Sequence, residues 1–389
     1  MQDQVYLDYN ATYPILPEAL EAVNECARSC FGNPSSVHWA GRKARKALYD
    51  SRATIAKTLG VDPGLVIFTG SATESNNLAI RGHFEAFADS HVYFLSKVEH
   101  PSIIEAAKNL KRRGADVYLV DVDTKGCLDI HQLKVLLDKH GRENALVSNM
   151  FVNNETGVIY PIRKISDIVH SHRMLLHTDA VQAFGKIAFN AKDLDVDYLS
   201  ISSHKIGGPK GVGSLYVRNK SSLEPFILGG YQEFGLRSGT ENVPGIVGFS
   251  RAAQITLQKM DQFIEHTSKI KARLLEGVMN LISGVCINGD SCASVPSTVN
   301  MAIDGVDGDA LLIGLDLEGI AVSSGSACSS GKLDPSHVLL AMGLSRSLAK
   351  SSIRVSFTEK TTMNDVERFL KAFFSVVHRL RFSTTRCKA

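Results

Sequence analysis

The feature that most constrains the fold is an alternation of short apolar runs with helical patterns, which begins near Gly60. The runs that predict strands are "LVIFTG", "HVYFLS", "DVYLVDVD", "ALVSNMFV", "MLLHTDA", "VDYLSISS" and "GVGSLYVR". Helical patterns such as "PSIIEAAKNLKRR" and "PIRKISDIVHSHR" separate the first five. Continuously apolar strands separated by helices are typical of a mostly parallel sheet buried on both faces. The sequence therefore predicts a large α/β domain.

The last third of the chain has a different pattern. A helical stretch from about Val247 to Met279 is followed by the strand candidates "STVNMAI", "IAVSS" and "SIRVSF", with helical patterns in "GDALLIGLDLEG" and "SHVLLAMG". This mixture predicts a smaller α+β domain joined to the first by the long helix. We assign residues 15–255 to the large domain, and residues 1–14 and 256–389 to the small domain.

Composition narrows the class of protein. The chain has 389 residues, 44% hydrophobic and 21% charged, and a net charge of +3, which gives no sign of nucleic-acid binding. It has no apolar run long enough to cross a bilayer, and its first residues lack the pattern of a signal peptide. Seven cysteines do not suggest a disulfide framework, and Cys26 and Cys30 lack the partners of a zinc site. We expect a cytoplasmic protein with reduced thiols, no intrinsic metal and no membrane or nucleic-acid partner.

Polar residues gather at the predicted carboxyl ends of five strands. They are Thr69, Gly70 and Ser71; Glu99 and His100; Asn153, Asn154 and Glu155; Asp179; and Ser202, Ser203, His204 and Lys205. Ligands of open α/β sheets bind beyond the carboxyl ends of the strands. We therefore expect these residues to form one rim that carries the functional site.

Lys205 and Asp179 are the first candidates for chemistry at this rim. Lys205 follows a strand, where a partly desolvated lysine can lose its proton and attack a carbonyl, as when an aldehyde cofactor is held as a Schiff base. Asp179 also follows a strand, where it suits either a helix cap or the protonated nitrogen of a pyridoxal ring. A lone lysine beside a turn is more often a surface residue, but the two residues together favour the cofactor.

Other positions have both a structural and a functional interpretation. Ala72 and Thr73 open a helix in "TGSATESNN", which fits simple capping or a phosphate at the helix N-terminus. His100 precedes Pro101 at a strand-to-helix corner; such a histidine is more often structural, but it could stack on an aromatic cofactor and transfer protons. Arg354, inside the apolar "SIRVSF", needs a compensating anion, either an internal Asp or Glu or a substrate carboxylate.

Cys328 lies within "SSGSACSSG", a run of serine, glycine and alanine. Such a run has little propensity for helix or strand, whereas buried structural cysteines usually have large apolar neighbours. The composition therefore predicts a thiol that is held out on a loop.

A series of segments resembles the pyridoxal-phosphate-dependent cysteine desulfurases. They are "YLDYNAT", "GNPSSVHWAG", "FVNNETG", "HTDAVQAFGK", "SSHKIGGPKGVGSLYVR", "GLRSGTENVP", "SSGSACSSGKLDPSHVLLAMG" and "SIRVSF", and they cover nearly the whole chain. The long Ser/Gly run around the cysteine is similar to the group that supplies sulfur for iron–sulfur clusters. The resemblance implies the aspartate-aminotransferase fold, which is fold type I of the pyridoxal phosphate enzymes, and a homodimer with active sites at the subunit boundary.

The resemblance also implies a role for each candidate residue. Lys205 matches the lysine that forms the Schiff base, Cys328 the catalytic nucleophile, and Arg354 the clamp for the substrate carboxylate. His100 matches the histidine that stacks on the ring and acts as acid or base. The implied cofactor contacts are Asp179 at the pyridine nitrogen, Gln182 and Asn154 at the phenolic oxygen (Asn154 also near the substrate), Ala72, Thr73, Ser202 and His204 at the phosphate, and Thr240 at the phosphate from the partner subunit.

The implied reaction converts L-cysteine to L-alanine. The substrate displaces Lys205 from the cofactor, Lys205 or His100 removes the α-proton, and the thiolate of Cys328 takes the substrate sulfur as a persulfide. The persulfide then passes to an acceptor or iron–sulfur scaffold protein, and transient contact of Cys328 with a cluster is the one metal interaction implied. Nitrogenase, general cluster assembly and tRNA thiolation stay open as the pathways served.

The chain departs from the family pattern at three aromatic residues. Tyr13 lies in "ATY" where the family often has "ATT", and Tyr231 and Phe234 lie in "GGYQEFGLRSGT" where it has "GGGQERGLRSGT". We expect these positions near the dimer boundary and the active-site mouth, where they bear on partner choice or substrate access. The sequence also ends soon after its last helix, which bears on how a scaffold protein would dock.

Other functions compete with this one. In an aminotransferase or lyase the thiol would be incidental, so Cys328→Ala would leave turnover intact, and a selenocysteine lyase would not need the thiol either. A non-catalytic relative that binds a sulfur-transfer partner would need no cofactor, yet Lys205, Asp179 and the phosphate loop occur together. A dehydrogenase is disfavoured because no G-x-G-x-x-G follows the first strand.

Overall fold

A computed structural model describes residues 4–87, 91–289, 293–324 and 334–386. Its strands are β1 Val5–Tyr6, β2 Val66–Thr69, β3 Val92–Ser96, β4 Asp116–Val120, β5 Leu146–Ser148, β6 Leu175–Asp179, β7 Tyr198–Ser202, β8 Gly213–Val217, β9 Val285–Asn288, β10 Thr298–Ile303, β11 Ile320–Ala321, β12 Ser323–Ser324 and β13 Ser352–Ser356. Its helices are α1 Pro17–Ser29, α2 Trp39–Leu59, α3 Ala72–Asn77, α4 His83–Ala86, α5 Pro101–Arg112, α6 Ile130–His140, α7 Ile162–Ser171, α8 Ala191–Leu194, α9 Val243–Gln258, α10 Met260–Leu281, α11 Gly308–Leu317, α12 His337–Ala341, α13 Arg346–Lys350 and α14 Met363–Arg386. A π-helical turn, Leu78–Gly82, joins α3 to α4.

The largest sheet contains all seven predicted apolar runs, in the order β2-β8-β7-β6-β5-β3-β4. The strands β7, β6, β5, β3 and β4 run parallel, whereas β8 is antiparallel to β2 and β7. The reversal of β8 has a simple cause: residues 203–212 alone connect it to β7, and a parallel crossover needs a longer connection. The predicted α/β fold with a mostly parallel sheet is confirmed.

Two separate regions of apolar packing hold the chain together. Helices cover both faces of the seven-stranded sheet, with buried side chains such as Phe94 and Leu199 in its core. A second core lies around the sheet β12-β13-β10-β9 and includes Ile270 of α10, Leu311 of α11 and Phe369 of α14. The boundaries assigned to the two domains stay a prediction.

The single long helix predicted from Val247 to Met279 is wrong, because two helices, α9 and α10, meet at Lys259. Lys259 has φ −102° and ψ 6°, outside the helical range. The two halves bury their apolar faces against different cores: α9 packs on α1 and α2, whereas α10 packs on α14. A straight helix could not face both cores, and no glycine or proline in "LQKMDQ" signals the break.

The N-terminal segment crosses between the two cores and reaches the rim of the large sheet. Its strand β1 pairs in parallel with β11, and Asp8 forms a bridge with Ser356 at the end of β13. The segment then meets the end of β7, where the backbone N–H of Tyr13 donates to the carbonyl of His204. This path places residues 10 and 11 at the carboxyl ends of the strands. Among the described residues, no helix is both long enough and apolar enough to cross a membrane.

Candidate active site

A cavity of about 370 Å³ lies at the carboxyl ends of the large sheet. The predicted site residues that line it are Ala72, Thr73, His100, Asn154, Asp179, Gln182, Ser202, His204, Lys205 and Arg354. The five strand ends therefore converge as expected, because parallel strands present their carboxyl ends at one edge. Thr240 does not line this cavity; it lies in a separate one of about 100 Å³ with Arg237. Cys328 and its predicted thiol loop lie outside the described residues.

Lys205 is held at the cavity wall by the N-terminal segment. It ends the short helical turn Ser203–Lys205 that follows β7. Its Nζ donates to the carbonyl of Asn10 at 2.6 Å and to the carbonyl of Ala11 at 2.7 Å. Lys205 is therefore a half-buried, hydrogen-bonded residue of the cavity and not a solvated surface lysine.

Asp179 ends β6 and is 6% exposed. Its Oδ1 accepts the backbone N–H of Val181 at 3.0 Å. This hydrogen bond is the kind expected of an aspartate with a purely structural role at a turn. Its Oδ2 accepts from Nδ2 of Asn76 at 2.8 Å. Each carboxylate oxygen can accept more than one hydrogen bond, so Asp179 can still pair with a cationic N–H in the cavity.

A hydrogen-bonded chain fixes the ring of His100 relative to Asp179. Nδ2 of Asn76 also donates to Oγ of Ser102 at 2.9 Å, and this hydroxyl lies 2.8 Å from Nδ1 of His100. The backbone N–H of Ser102 donates to the same Nδ1 at 3.2 Å. Because Nδ1 accepts, the proton of the neutral ring is on Nε2. Burial lowers the pKa of His100, with Asp179 opposing and Lys205 and His337 adding to the effect, so the neutral ring prevails at pH 7.

The phosphate end of the predicted site is the start of a helical segment that continues through α3, the π-turn and α4. Ser71 caps it by accepting the backbone N–H of Glu74 at 3.2 Å, which leaves the N–H groups of Ala72 and Thr73 at the cavity. A Cβ on Gly213 of β8 would lie 2.5 Å from the carbonyl carbon of Ser71. Glycine there allows the strand to approach this turn, and the resulting cradle fits a phosphate.

Two buried polar atoms at the cavity residues have no hydrogen-bond partner among the described residues: Oδ1 of Asn76 and Nε of Arg354. Arg354 is 2% exposed; its Nη2 pairs with Asp8 at 2.7 Å and its Nη1 donates to the carbonyl of Asn154 at 3.0 Å. The internal salt bridge considered for Arg354 is therefore present, but Nε has no hydrogen-bond partner among the described residues. Buried unpaired donors are costly, so this N–H fits a ligand carboxylate.

Several residues that support this site carried no separate role in the sequence analysis. They are Asn10, Asn76, Glu155, Lys186, Ser102 and His337. Asn76 lies four residues after Ala72 on one helix, so helical spacing places it beside the phosphate cradle. Asn10 lies in "YLDYNAT", one of the segments that resemble the family, and this resemblance could have identified it as a site residue. The others act through contacts between distant parts of the chain.

The three aromatic departures occupy different surroundings. Tyr13 hydrogen-bonds to Glu359 and lines a second cavity of about 240 Å³, which shares Lys205 with the first. Tyr231 is 88% exposed. Phe234 lies between two cations: Cζ of Arg52 is 5.1 Å and Nζ of Lys220 is 4.0 Å from its ring centroid. The ring of Phe234 therefore makes cation–π contacts with both side chains.

Glu155 is a buried carboxyl at the cavity, 3% exposed. Its Oε2 accepts from Oγ of Ser336 at 2.5 Å. Burial raises the pKa of Glu155 from its ordinary value of 4.5 to about 7, although the Ser336 hydrogen bond and the charge of Arg354 oppose the rise. Protonation of Glu155 therefore changes near neutral pH in the folded protein.

We predict that Glu155→Gln removes a loss of stability that wild type suffers as pH rises. Between about pH 4.5 and 7 the folded protein keeps a proton on Glu155 that the unfolded chain has lost, so the free energy of unfolding falls through this range. The stability advantage of the variant should grow by about 3 kcal/mol at most over the range. Thermal unfolding of both proteins at pH 5 and pH 8 measures it. Glu224→Gln, at an exposed carboxylate, is the control. An equal difference at both pH values would contradict the prediction.

Comparison with known proteins gives consistent matches over nearly the whole chain. The model of the family "Aminotransferase class-V" matches residues 5–369. The protein "Cysteine desulfurase IscS" of Dictyoglomus turgidum is 41% identical over 382 residues, which are 98% of this chain and 96% of the relative. A solved NifS-like protein is similar with a TM-score of 0.91 and 37% identity, covering 97% of this chain and 100% of that one. SspA, solved in complex with cysteine, has a TM-score of 0.79 and 34% identity, covering 92% and 100%.

Proposed function

The chain belongs to the aminotransferase class-V family and, within it, to the pyridoxal-phosphate-dependent cysteine desulfurases, and on this premise we propose how its own residues carry the reaction. L-cysteine is converted to L-alanine, and its sulfur is held as a persulfide on Cys328. The observation that supports this most strongly is the grouping of Lys205, Asp179 and Arg354 at one cavity, where Nε of Arg354 has no hydrogen-bond partner among the described residues. A lysine, a carboxylate and a carboxylate-binding guanidinium are the groups that amino-acid chemistry on an aldehyde cofactor requires.

The residues present fit pyridoxal phosphate. Lys205 would hold its aldehyde covalently, and the carboxylate of Asp179 would keep its ring nitrogen protonated. The remaining contacts we propose are Gln182 and Asn154 at the phenolic oxygen, and Ala72, Thr73, Ser202 and His204 at the phosphate. When bound, the cofactor supplies an electron sink for the negative charge that forms at the substrate α-carbon.

Arg354 and His100 bind and protonate the substrate in this proposal. The Nε–H of Arg354 donates to the substrate carboxylate, and its pairing with Asp8 keeps the guanidinium in place. His100 stacks on the ring and presents a proton on Nε2, because Ser102 holds its Nδ1. Of the two candidate bases, Lys205 removes the α-proton, because Nδ1 of His100 already accepts from Ser102 and its Nε2 carries the proton; either residue can return a proton to the carbon skeleton.

Sulfur transfer is the step assigned to Cys328. Its thiolate forms a bond with the substrate sulfur, and the bond between that sulfur and the β-carbon breaks with its electron pair left on carbon. A proton completes the methyl group of alanine, so one thiol and one cysteine give one persulfide and one alanine. No external oxidant or reductant is needed for this exchange. The step needs Cys328 within reach of the cavity.

We also propose the setting of the enzyme. It works as a homodimer in which Thr240 contacts the cofactor phosphate of the other subunit, and it acts in the cytoplasm. Its persulfide passes to a sulfur-acceptor or scaffold protein for iron–sulfur clusters or related cofactors. The resemblance to the desulfurases with a long Ser/Gly run around the cysteine supports transfer to an acceptor protein. A persulfide within such a run would be accessible to a second protein.

The products formed from L-cysteine test the reaction type. Wild type loaded with pyridoxal phosphate should give alanine and sulfane sulfur in equal amounts, as the balanced transfer requires. A lyase that eliminates across the α- and β-carbons would give pyruvate, ammonia and sulfide. An aminotransferase would give a keto acid and load the cofactor with an amino group. Pyruvate or a keto acid without alanine would therefore overturn the proposal.

A further inference from the structure

Lys186 is a buried lysine directly behind the cavity and outside the proposed catalytic residues. It is 7% exposed and lines the second cavity, of about 240 Å³, but not the one that holds Asp179. Lys205 borders both cavities. Lys186 therefore lies outside the lining of the cavity proposed for the cofactor, and its hydrogen bond to Gln182 connects it to that lining.

The ammonium of Lys186 would be costly to bury here. No carboxylate forms an ion pair with it in the part of the chain that the structure describes. Burial lowers its pKa well below the ordinary value, and the charges of Lys205 and Arg354 lower it further. A neutral amine has two N–H donors, and Nζ makes two hydrogen bonds, to Oδ1 of Asn10 at 2.7 Å and Oε1 of Gln182 at 2.5 Å. The neutral form is therefore satisfied.

These two hydrogen bonds fix the orientation of two side-chain amides. Nζ donates to the oxygen of each amide, and each amide nitrogen faces an acceptor on its other side, so the two amides have a defined orientation. Nε2 of Gln182 then donates to the carbonyl of Asn10 at 3.0 Å, which leaves its second hydrogen for the cavity that Gln182 lines. Nδ2 of Asn10 donates to the carbonyl of Asn154 at 3.2 Å and to Oγ1 of Thr298 at 2.9 Å.

Asn10 connects this arrangement to Lys205. Its carbonyl accepts from Nζ of Lys205 at 2.6 Å and from Gln182. Its amide nitrogen reaches the same Asn154 carbonyl that receives Arg354. Asn10 thus contacts three proposed site residues, Lys205, Gln182 and Asn154. Lys186 in turn holds the side chain of Asn10 in place through a hydrogen bond to its Oδ1.

We infer that Lys186 is a positioning residue that fixes the amides of Gln182 and Asn10, so that Gln182 presents an N–H donor to the cofactor and Lys205 is held at the cavity wall. The inference deepens the proposed function and rests on it. Removing the amine leaves two buried amide oxygens without their donor, which favours rotation of the amides or entry of water.

Lys186→Met tests the inference, because methionine keeps the length of the side chain and removes both donors. We expect the Lys186→Met holoenzyme to lose pyridoxal phosphate on dilution at about tenfold higher protein and cofactor concentration than wild type, because its cofactor is bound more weakly. We also expect the visible absorption band of the bound cofactor, and the pH at which it changes, to shift. Lys186→Gln, which restores an N–H donor, should recover part of both effects.

Lys271→Met is the matched control. Lys271 is also a partly buried lysine whose Nζ makes two hydrogen bonds, to Oγ of Ser294 at 2.9 Å and the carbonyl of Val295 at 3.1 Å, and burial lowers its pKa. It lines neither of the two cavities, so cofactor retention and the absorption band should match wild type.

The outcomes separate this inference from the proposed function. If Lys186→Met keeps the wild-type band, its pH dependence and its cofactor retention, the inference is wrong and the proposed function stands. If Lys271→Met shows the same losses, the effect comes from general destabilisation and the inference is also wrong. If wild type itself acquires no cofactor band, the proposed function fails first and takes the inference with it.

Discussion

Replacing Lys205 with alanine should lower the rate of alanine formation from L-cysteine by about 10³-fold or more. Lys205 is assigned two tasks, holding the cofactor aldehyde covalently and moving the α-proton, and alanine can do neither. The fold should survive, because Lys205 is only half-buried at the cavity wall and the buried Asn10 carbonyl keeps Nε2 of Gln182 as a donor. Steady-state kinetics on cofactor-loaded protein measures the loss.

Borohydride reduction separates the two tasks of Lys205. Reduction should attach the cofactor irreversibly to the wild-type peptide that contains Lys205, and mass spectrometry should find no such attachment in Lys205→Ala. A small primary amine added to the variant should restore part of the activity, since the missing group is an amine. Lys210→Ala, five residues on in the same turn region and exposed, is the control and should retain both attachment and activity. Attachment of the cofactor at another lysine would contradict the assignment.

The architecture of the large sheet could be predicted because its strands are continuously apolar. A strand buried on both faces leaves a run such as "HVYFLS" that a half-exposed strand or a surface helix would not. The antiparallel direction of β8 could also be predicted from the sequence, since the short connection from β7 leaves no room for a crossover helix. The break at Lys259 was not, because it arises from packing on two cores and leaves no local signal.

In the site, too, some residues could be predicted from the sequence and others could not. His100, Asp179 and Lys205 could be predicted to lie together because each lies at or just after the end of a strand, and strand ends of a parallel sheet meet at one edge. The residues that support them, such as Asn10 and Lys186, are invisible to this argument because Asn10 contacts partners more than a hundred residues away. The sequence also left two partners open for Arg354; in the structure Asp8 pairs with Nη2, and Nε has no hydrogen-bond partner among the described residues.

Replacing Cys328 with alanine should abolish sulfur transfer. In the proposed reaction this thiolate is the only group that receives the substrate sulfur, so its loss should reduce alanine formation by about 10³-fold or more. Binding of L-cysteine should be unaffected, because Arg354 and the cofactor make the binding contacts. The variant should therefore still change the absorption of the bound cofactor when L-cysteine is added. Cys286→Ala, at an exposed free thiol, is the matched control and should behave as wild type.

A single-turnover reaction of cofactor-loaded enzyme with L-cysteine tests the central claim most directly, with alanine and protein-bound persulfide read from the same sample. Wild type and Cys286→Ala should form one alanine for each persulfide, and the persulfide should map to the peptide containing Cys328. Cys328→Ala should form neither product. Undiminished alanine from Cys328→Ala would contradict the account and favour an enzyme of the selenocysteine-lyase type, which releases alanine without using this thiol.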